Sequence, residues 1–277
     1  MTGIIAQIVS LASYGNEYLQ SGIIPTHYFP DNPSFKFCNT VDFREPGKQI
    51  PADPVAERAT ETIMADNPVQ WFDLLQKNGC KKIRLYFYSS ADPGPAADHK
   101  LAEMVGGGGT WLIETLFDGF SDYWSNRWTV TQKENPDDRI WSVNYGRTLV
   151  HQPISNLQVD IWQTHTLLAF ALAEITGFAL LKGLGEWAEI FQKSIAVLSS
   201  LSPGTGYYYQ DFLVEKNYSL PARQNLFAAS AAWVFGGMGS WNDLYFEPEA
   251  DNQKYEQVSA KLFAAINQAI LATVNSF

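Results

Sequence analysis

Between residues 35 and 150 apolar side chains alternate with polar ones, and after Pro153 they recur every three or four positions instead. A period of two marks a strand with one buried face; a period near 3.6 marks a helix. In FKFCNTVDF, Phe35, Phe37, Val41 and Phe43 fall on one side and Lys36, Thr40 and Asp42 on the other. KKIRLYFYSS sets Ile83, Leu85 and Phe87 against Arg84, Tyr86 and Tyr88, and TWLIETLF, from Thr110, reads as a third strand. YWSNRWTVTQ and RIWSVNYGRTLV form a hairpin across KENPDDR, with Asn135-Pro136 as the turn signal. Strands joined by hairpins predict an antiparallel sheet.

Two departures from that period precede and interrupt the sheet. Ile4, Ile5, Ile8, Leu11 and Ala12 recur at helical spacing and predict an amphipathic first helix lying on the sheet. The Pro-rich FREPGKQIPADP predicts a loop, as do ADPGPAADHK and the glycines at 106–109. VAERATETIMADNPVQWFDLLQKNG, starting at Val55, predicts one or two short helices broken at Asn67-Pro68, with Asp66 or Asn67 as cap and Asn78-Gly79 as stop.

Beyond Pro153, residues 157–182 and 185–200 predict two helices parted by Gly183-Leu184-Gly185. Pro221 suits the first turn of a third, running to about Phe235 before GGMG. Residues 253–274 predict a fourth, with Val258, Leu262, Ala265, Ile266, Ala269 and Ile270 as its buried stripe. The class is α+β: an N-terminal, mainly antiparallel sheet followed by a helical C-terminal half. The expectation is one compact domain over 1–277 with a soft seam near 153.

Charge narrows the function classes. The 277 residues carry a formal net charge of −10 and no run of Lys or Arg, which argues against nucleic acid as a partner. Residues 167–185 are apolar, but Glu174 and Lys182 argue against a membrane span. The N-terminal stretch lacks a basic region ahead of its apolar residues, so it is not expected to be a cleaved signal. Cys38 and Cys80 give no disulfide framework and no paired-cysteine metal spacing, and two reduced thiols fit a cytoplasmic protein. Nine Trp, 13 Tyr and 17 Phe are the compositional outlier, and such rings fill cores, ligand pockets and interfaces alike.

The candidate chemistry starts at Glu174, in the middle of THTLLAFALAEITGFALLKG. On a helix it shares a face with Leu167, Phe170, Ala171, Phe178 and Leu181, the face with the largest side chains. A buried carboxylate must find a cation, accept hydrogen bonds or hold its proton. A raised pKa would suit a general acid or base, so Glu174 is the first catalytic candidate, with a structural ion pair as the alternative. His165 is the second, three residues from Trp162. Arg84, Arg147 and Arg223 are candidate mates for Glu174 or anchors for an anionic group, and Tyr86, Tyr145 and Trp162 are candidate walls. Arg84, Tyr86 and Tyr88, Glu114, and Trp141, Val143 and Tyr145 would form an aromatic concavity if one sheet face carried them all.

No metal site is expected. His151, Asp160 and His165 are close in sequence but off the spacing that stacks ligands on a helix. No cofactor is expected either, because the glycines at 106–109 lead into a strand with no Lys-Ser or Lys-Thr after them. No G-x-S-x-G elbow is present. Two readings remain. One is a soluble protein that binds a small, partly apolar organic ligand between sheet and helices, with acid/base catalysis as an extension. The other is a non-catalytic partner-binding or oligomeric protein that uses an aromatic surface.

Overall fold

A computed structural model describes residues 1–46, 61–89, 98–100 and 108–277. The expected loop after Glu45, the expected helix at 55–60, most of the loop before Lys100 and Gly106–Gly107 lie outside the described residues.

Helix α1 (Gly3–Ser21) starts at Thr2, whose hydroxyl accepts the Ile5 amide, and stops at Gly22, which takes a φ of 68°. The strands are β1 (Cys38–Glu45), β2 (Thr62–Ala65), β3 (Lys82–Tyr88), β4 (Thr110–Leu116), β5 (Ser121–Val130) and β6 (Trp141–Gln152), with α2 (Pro68–Lys77) between β2 and β3. Then come α3 (Ile161–Leu181), α4 (Gly185–Val197), α5 (Leu220–Ala231) and α6 (Glu249–Asn275). The six strands form one sheet in the order β2-β1-β6-β5-β4-β3. Every neighbouring pair is antiparallel except β1 with β6, which is parallel. The α+β class, a mainly antiparallel sheet followed by helices, therefore holds.

Two local expectations need correction. Thr62–Ala65, expected as helix, is a strand paired with β1 through Phe43–Ala65 and Arg44–Ile63. The β-branched Thr62 and Ile63 suit a pleated edge. Asn67-Pro68 marks a real boundary, but between strand and helix: the Asn67 side chain accepts the Gln70 amide at 3.0 Å. Phe35 and Phe37 do not extend β1. Phe35 sits in a 3-10 turn (Pro33–Phe35) and packs edge-on against Tyr28, 5.4 Å between ring centres, while Phe37 is exposed.

One face of the sheet meets α1, α2 and α6. Gly15 of α1 lies so close that a Cβ there would sit 2.5 Å from the Ile83 side chain, so only glycine lets the helix settle on β3. Phe43 stacks on Trp71 of α2 at 4.3 Å and on Tyr145 at 5.1 Å, forming the aromatic centre of this layer. Strand β3 ends the sheet, yet its outer backbone groups are occupied. Asn16 of α1 bonds both the amide and the carbonyl of Ile83, and Asn275 of α6 does the same for Leu85, all at 2.7–2.8 Å. Two side-chain amides thus stand in for a seventh strand and cover the edge.

The opposite face is polar. Arg44 and Asn144 both bond Asp42, at 2.6 and 2.8 Å, and Arg127 pairs with Glu61. Alternation puts Arg84 and Glu114 here as cross-strand neighbours. Beyond β6 the helices pack on one another, with α3 against α4, α5 and α6, and the buried side chains run continuously from sheet to helices. Trp241 is a hub of that half: its indole N–H donates to Ser259 at 2.7 Å and its carbonyl accepts from Tyr255 at 2.6 Å.

Candidate functional site

At the end of the sheet where β4 and β6 begin, the first turn of α1 and residues from the helical half line a half-open cavity of about 800 Å³. Its walls are rings from several strands and loops. Trp128 of β5 and Trp141 of β6 meet edge to face at 5.9 Å. Trp111 opens β4 and leans on Phe87 at 4.8 Å. From the far side come Tyr209, Phe263 of α6 and Trp233, whose indole N–H is fixed on the Phe235 carbonyl at 2.8 Å. Gly108 and Gly109, with φ of 77° and 80°, carry the chain into β4 along the rim. A Cβ on Gly109 would fall 2.6 Å from the Phe87 ring, so glycine is what brings Trp111 to the wall.

The lining also carries polar groups, among them Thr2, Thr110, Ser125, Asn126 and Arg127, the last paired with Glu61. Gln7 of α1 donates to Cys38 Sγ at 3.3 Å and to the Ser34 carbonyl at 3.2 Å, and accepts from the Tyr145 hydroxyl at 2.6 Å. Through these bonds the buried layer holds Cys38 and Ser34 in the cavity wall. Burial pushes the Cys38 thiol up to about 11, so it stays protonated and unreactive near neutrality. Trp128 gives its ring to the wall, while its Nε1 is buried away from the open space and has no hydrogen-bond partner among the described residues. No carboxylate and no imidazole belongs to the described lining. A second cavity, about 780 Å³, lies beside the start of α3 and is lined by amides such as Gln163, Gln268 and Asn275, without aromatic walls.

Of the catalytic and ligand-binding candidates singled out from the sequence, Glu174, His165, Arg84, Tyr86, Tyr145, Arg147, Trp162 and Arg223, none lines the aromatic cavity; Trp141, expected on an aromatic sheet face, does. Glu174 is the main correction. The inner face of α3 is Leu168, Leu172, Ile175 and Ala179; Leu167, Phe170 and Leu181, expected inside, are exposed. Glu174 sits at the edge of the outer face, its side chain 31% exposed, bonded to Lys254 at 2.5 Å and Lys261 at 2.8 Å. Those two hydrogen bonds hold its carboxyl below the ordinary carboxylate value, the reverse of the raised pKa an acid catalyst needs. The helix is apolar nearly all round, so spacing alone did not fix its rotation. The three arginines considered as mates for Glu174 have other partners: Arg84 pairs with Glu114, Arg147 with Glu45 and Asp122, and Arg223 with Glu215.

His165 lies 6.1 Å from the Trp162 ring, and that Trp is exposed on α3. His151 stacks on Phe120 at 4.2 Å, and Asp160 caps α3 by accepting the Gln163 amide at 2.9 Å. Tyr145 is in the core, bonded to Gln7. The sheet splits the expected concavity: Val143 and Tyr145 face the helices, whereas Arg84, Tyr86 and Glu114 share the other face.

On that second face the structure does bring Arg84 and Tyr86 together. Glu114, fully buried, accepts from Arg84 Nε at 2.9 Å, from Tyr123 Oη at 2.9 Å and from Ser155 Oγ at 3.0 Å. Tyr86 packs on Tyr123 at 5.8 Å. Burial, with Glu114 beside it, pushes the Tyr123 hydroxyl up to about 12. With its donors and acceptors matched and the irregular segment after Pro153 laid across it through Ser155, this cluster is a structural lock. Trp111, Trp128, Trp233, Tyr209 and Phe263 escaped the sequence reading. Their only signal was the tryptophan excess, because the residues that meet here are up to 261 positions apart.

Comparison with known proteins finds no match: no family model, no curated protein and no solved structure is significantly similar to this chain.

Proposed function

We propose that this protein binds a small, flat, mostly apolar organic molecule in the aromatic cavity between the sheet and the helical half. Its volume falls within the usual range for small-molecule sites, and its walls follow their usual composition, rings with a few placed polar groups. The observation that carries the reading is the convergence of Trp111, Trp128, Trp141 and Trp233, from four separate stretches of chain, on one space. Since the described lining holds no carboxylate and no imidazole, the reading is one of binding, and acid/base chemistry by Glu174 is not part of it.

The test is a panel of planar aromatic and heteroaromatic compounds, scored by quenching of tryptophan fluorescence. Members of the panel should bind, and Trp128→Ala or Trp141→Ala, each removing a wall ring, should weaken them about tenfold, the worth of one aromatic pair. No binding from the panel, or binding indifferent to Trp128 and Trp141, would overturn the proposal.

A further inference from the structure

The outer face of α3 is unlike the rest of the surface. Trp162 is 68% exposed, Phe170 70%, Leu180 56% and Leu181 79%, and between the large residues lie Ala173 and Gly177. Positions 162, 166, 170, 173, 177 and 181 form one stripe along the helix. The exposed parts of its large side chains come to roughly 600 Å², above the few hundred Å² that a lone soluble chain usually leaves open and close to the ~800 Å² per partner of a standard interface.

Gly177 is the more telling residue. Its φ is not in the left-handed region, and a Cβ there would meet nothing within 4 Å. Among the described residues no packing or backbone reason calls for glycine here, which is the poorest helix former after proline. A helix from outside that approaches closely would supply the reason. The stripe is also complementary to itself. Phe170 and Gly177, Leu167 and Leu180, and Thr166 and Leu181 are each equidistant from a point between Ala173 and Glu174. Two copies of α3 crossing antiparallel at that point set each Phe170 ring on the bare backbone of the other's Gly177. Glu174, at the rim near the axis, already has its carboxylate paired with Lys254 and Lys261 of its own chain.

We infer that the outer face of α3 is the contact surface of a two-fold homodimer, with Phe170 packed over Gly177 of the second copy. This stands independently of the aromatic cavity. Lipid is the competing occupant, since α3 is long and apolar enough to cross a bilayer by length and composition. A second copy is favoured because α3 has its inner face packed on α4, α5 and α6, and because a bilayer has no use for a glycine opposite a phenylalanine.

The test is sedimentation velocity on the full chain from about 1 to about 100 µM, with flotation on phosphatidylcholine vesicles with and without phosphatidylserine. The wild type should be a dimer over most of that range and should not float. Phe170→Asp should weaken dimerisation at least ~100-fold, as loss of a central aromatic contact does. Gly177→Leu should also give a monomer while its thermal melt shows the helix intact or strengthened, which separates loss of contact from loss of fold. A monomeric wild type overturns the inference, whether or not it floats on vesicles, and so does a dimer that survives both substitutions.

Discussion

Glu114 and Glu174 are both paired carboxylates, and replacing each by Gln should have very different consequences. Glu114 is fully buried and Arg84 is 12% exposed, and the pair shares Ser155 and Tyr123 as further partners. Breaking a buried pair by removing one charge costs about 3–5 kcal/mol, because the other is left desolvated and unmatched. Arg84 keeps the Ser155 carbonyl as an acceptor at 3.0 Å, which places Glu114→Gln near the lower end, about 3 kcal/mol. Glu174 and its two lysines are partly exposed, and solvent screens them, so Glu174→Gln should cost at most about 1 kcal/mol. Urea unfolding of the three proteins measures both directly through the midpoint at constant slope. Salt provides a second axis: at about 1 M NaCl the screening length is near 3 Å, so the small Glu174 effect should vanish while the Glu114 effect persists. A double-mutant cycle of Arg84→Met with Glu114→Leu should return a coupling of at least about 2 kcal/mol. Equal losses for the two glutamines, or a larger loss for Glu174→Gln, would refute this ranking and with it the assignment of Glu114 as a structural lock.

Three further expectations follow from burial and backbone geometry. Cys38, Cys80 and Tyr207 are pushed by burial up to about 11, 12 and 12, from ordinary values of 9.0, 9.0 and 10.0. The folded state therefore keeps protons that the unfolded chain releases, so stability present below pH 9 should fall as pH rises from about 9 towards 12; denaturation midpoints at pH 8, 10 and 11 that stay level would contradict this. Neither thiol should react with a thiol reagent at pH 8 until the protein is unfolded. Gly109→Ala combines a φ of 80° with a Cβ 2.6 Å from the Phe87 ring, so it should destabilise by about 1–3 kcal/mol and, by displacing Phe87 onto Trp111, weaken ligand binding in the cavity. Normal stability with normal binding would show that the rim tolerates a side chain.

The elements of this protein are written locally. Alternation in KKIRLYFYSS and RIWSVNYGRTLV is enough to make strands, because every second side chain must face the same layer. Thr2, Asn67 and Asp160 start helices because their short polar side chains reach the free amides two or three residues on. What the sequence could not decide is how elements are turned and what they meet. Helix α3 has apolar residues on all sides, so its rotation was settled by contact with α4, α5 and α6, and that rotation moved Glu174 from the expected core to a lysine-clamped rim. Thr62–Ala65 became a strand because β1 had a free edge to pair with. The aromatic cavity draws on the first turn of α1, the lead into β1, three strands, the Tyr209 loop, Trp233 and α6. No short-range spacing records such an assembly, since its residues share nothing along the chain and become neighbours only when sheet and helices close on one core.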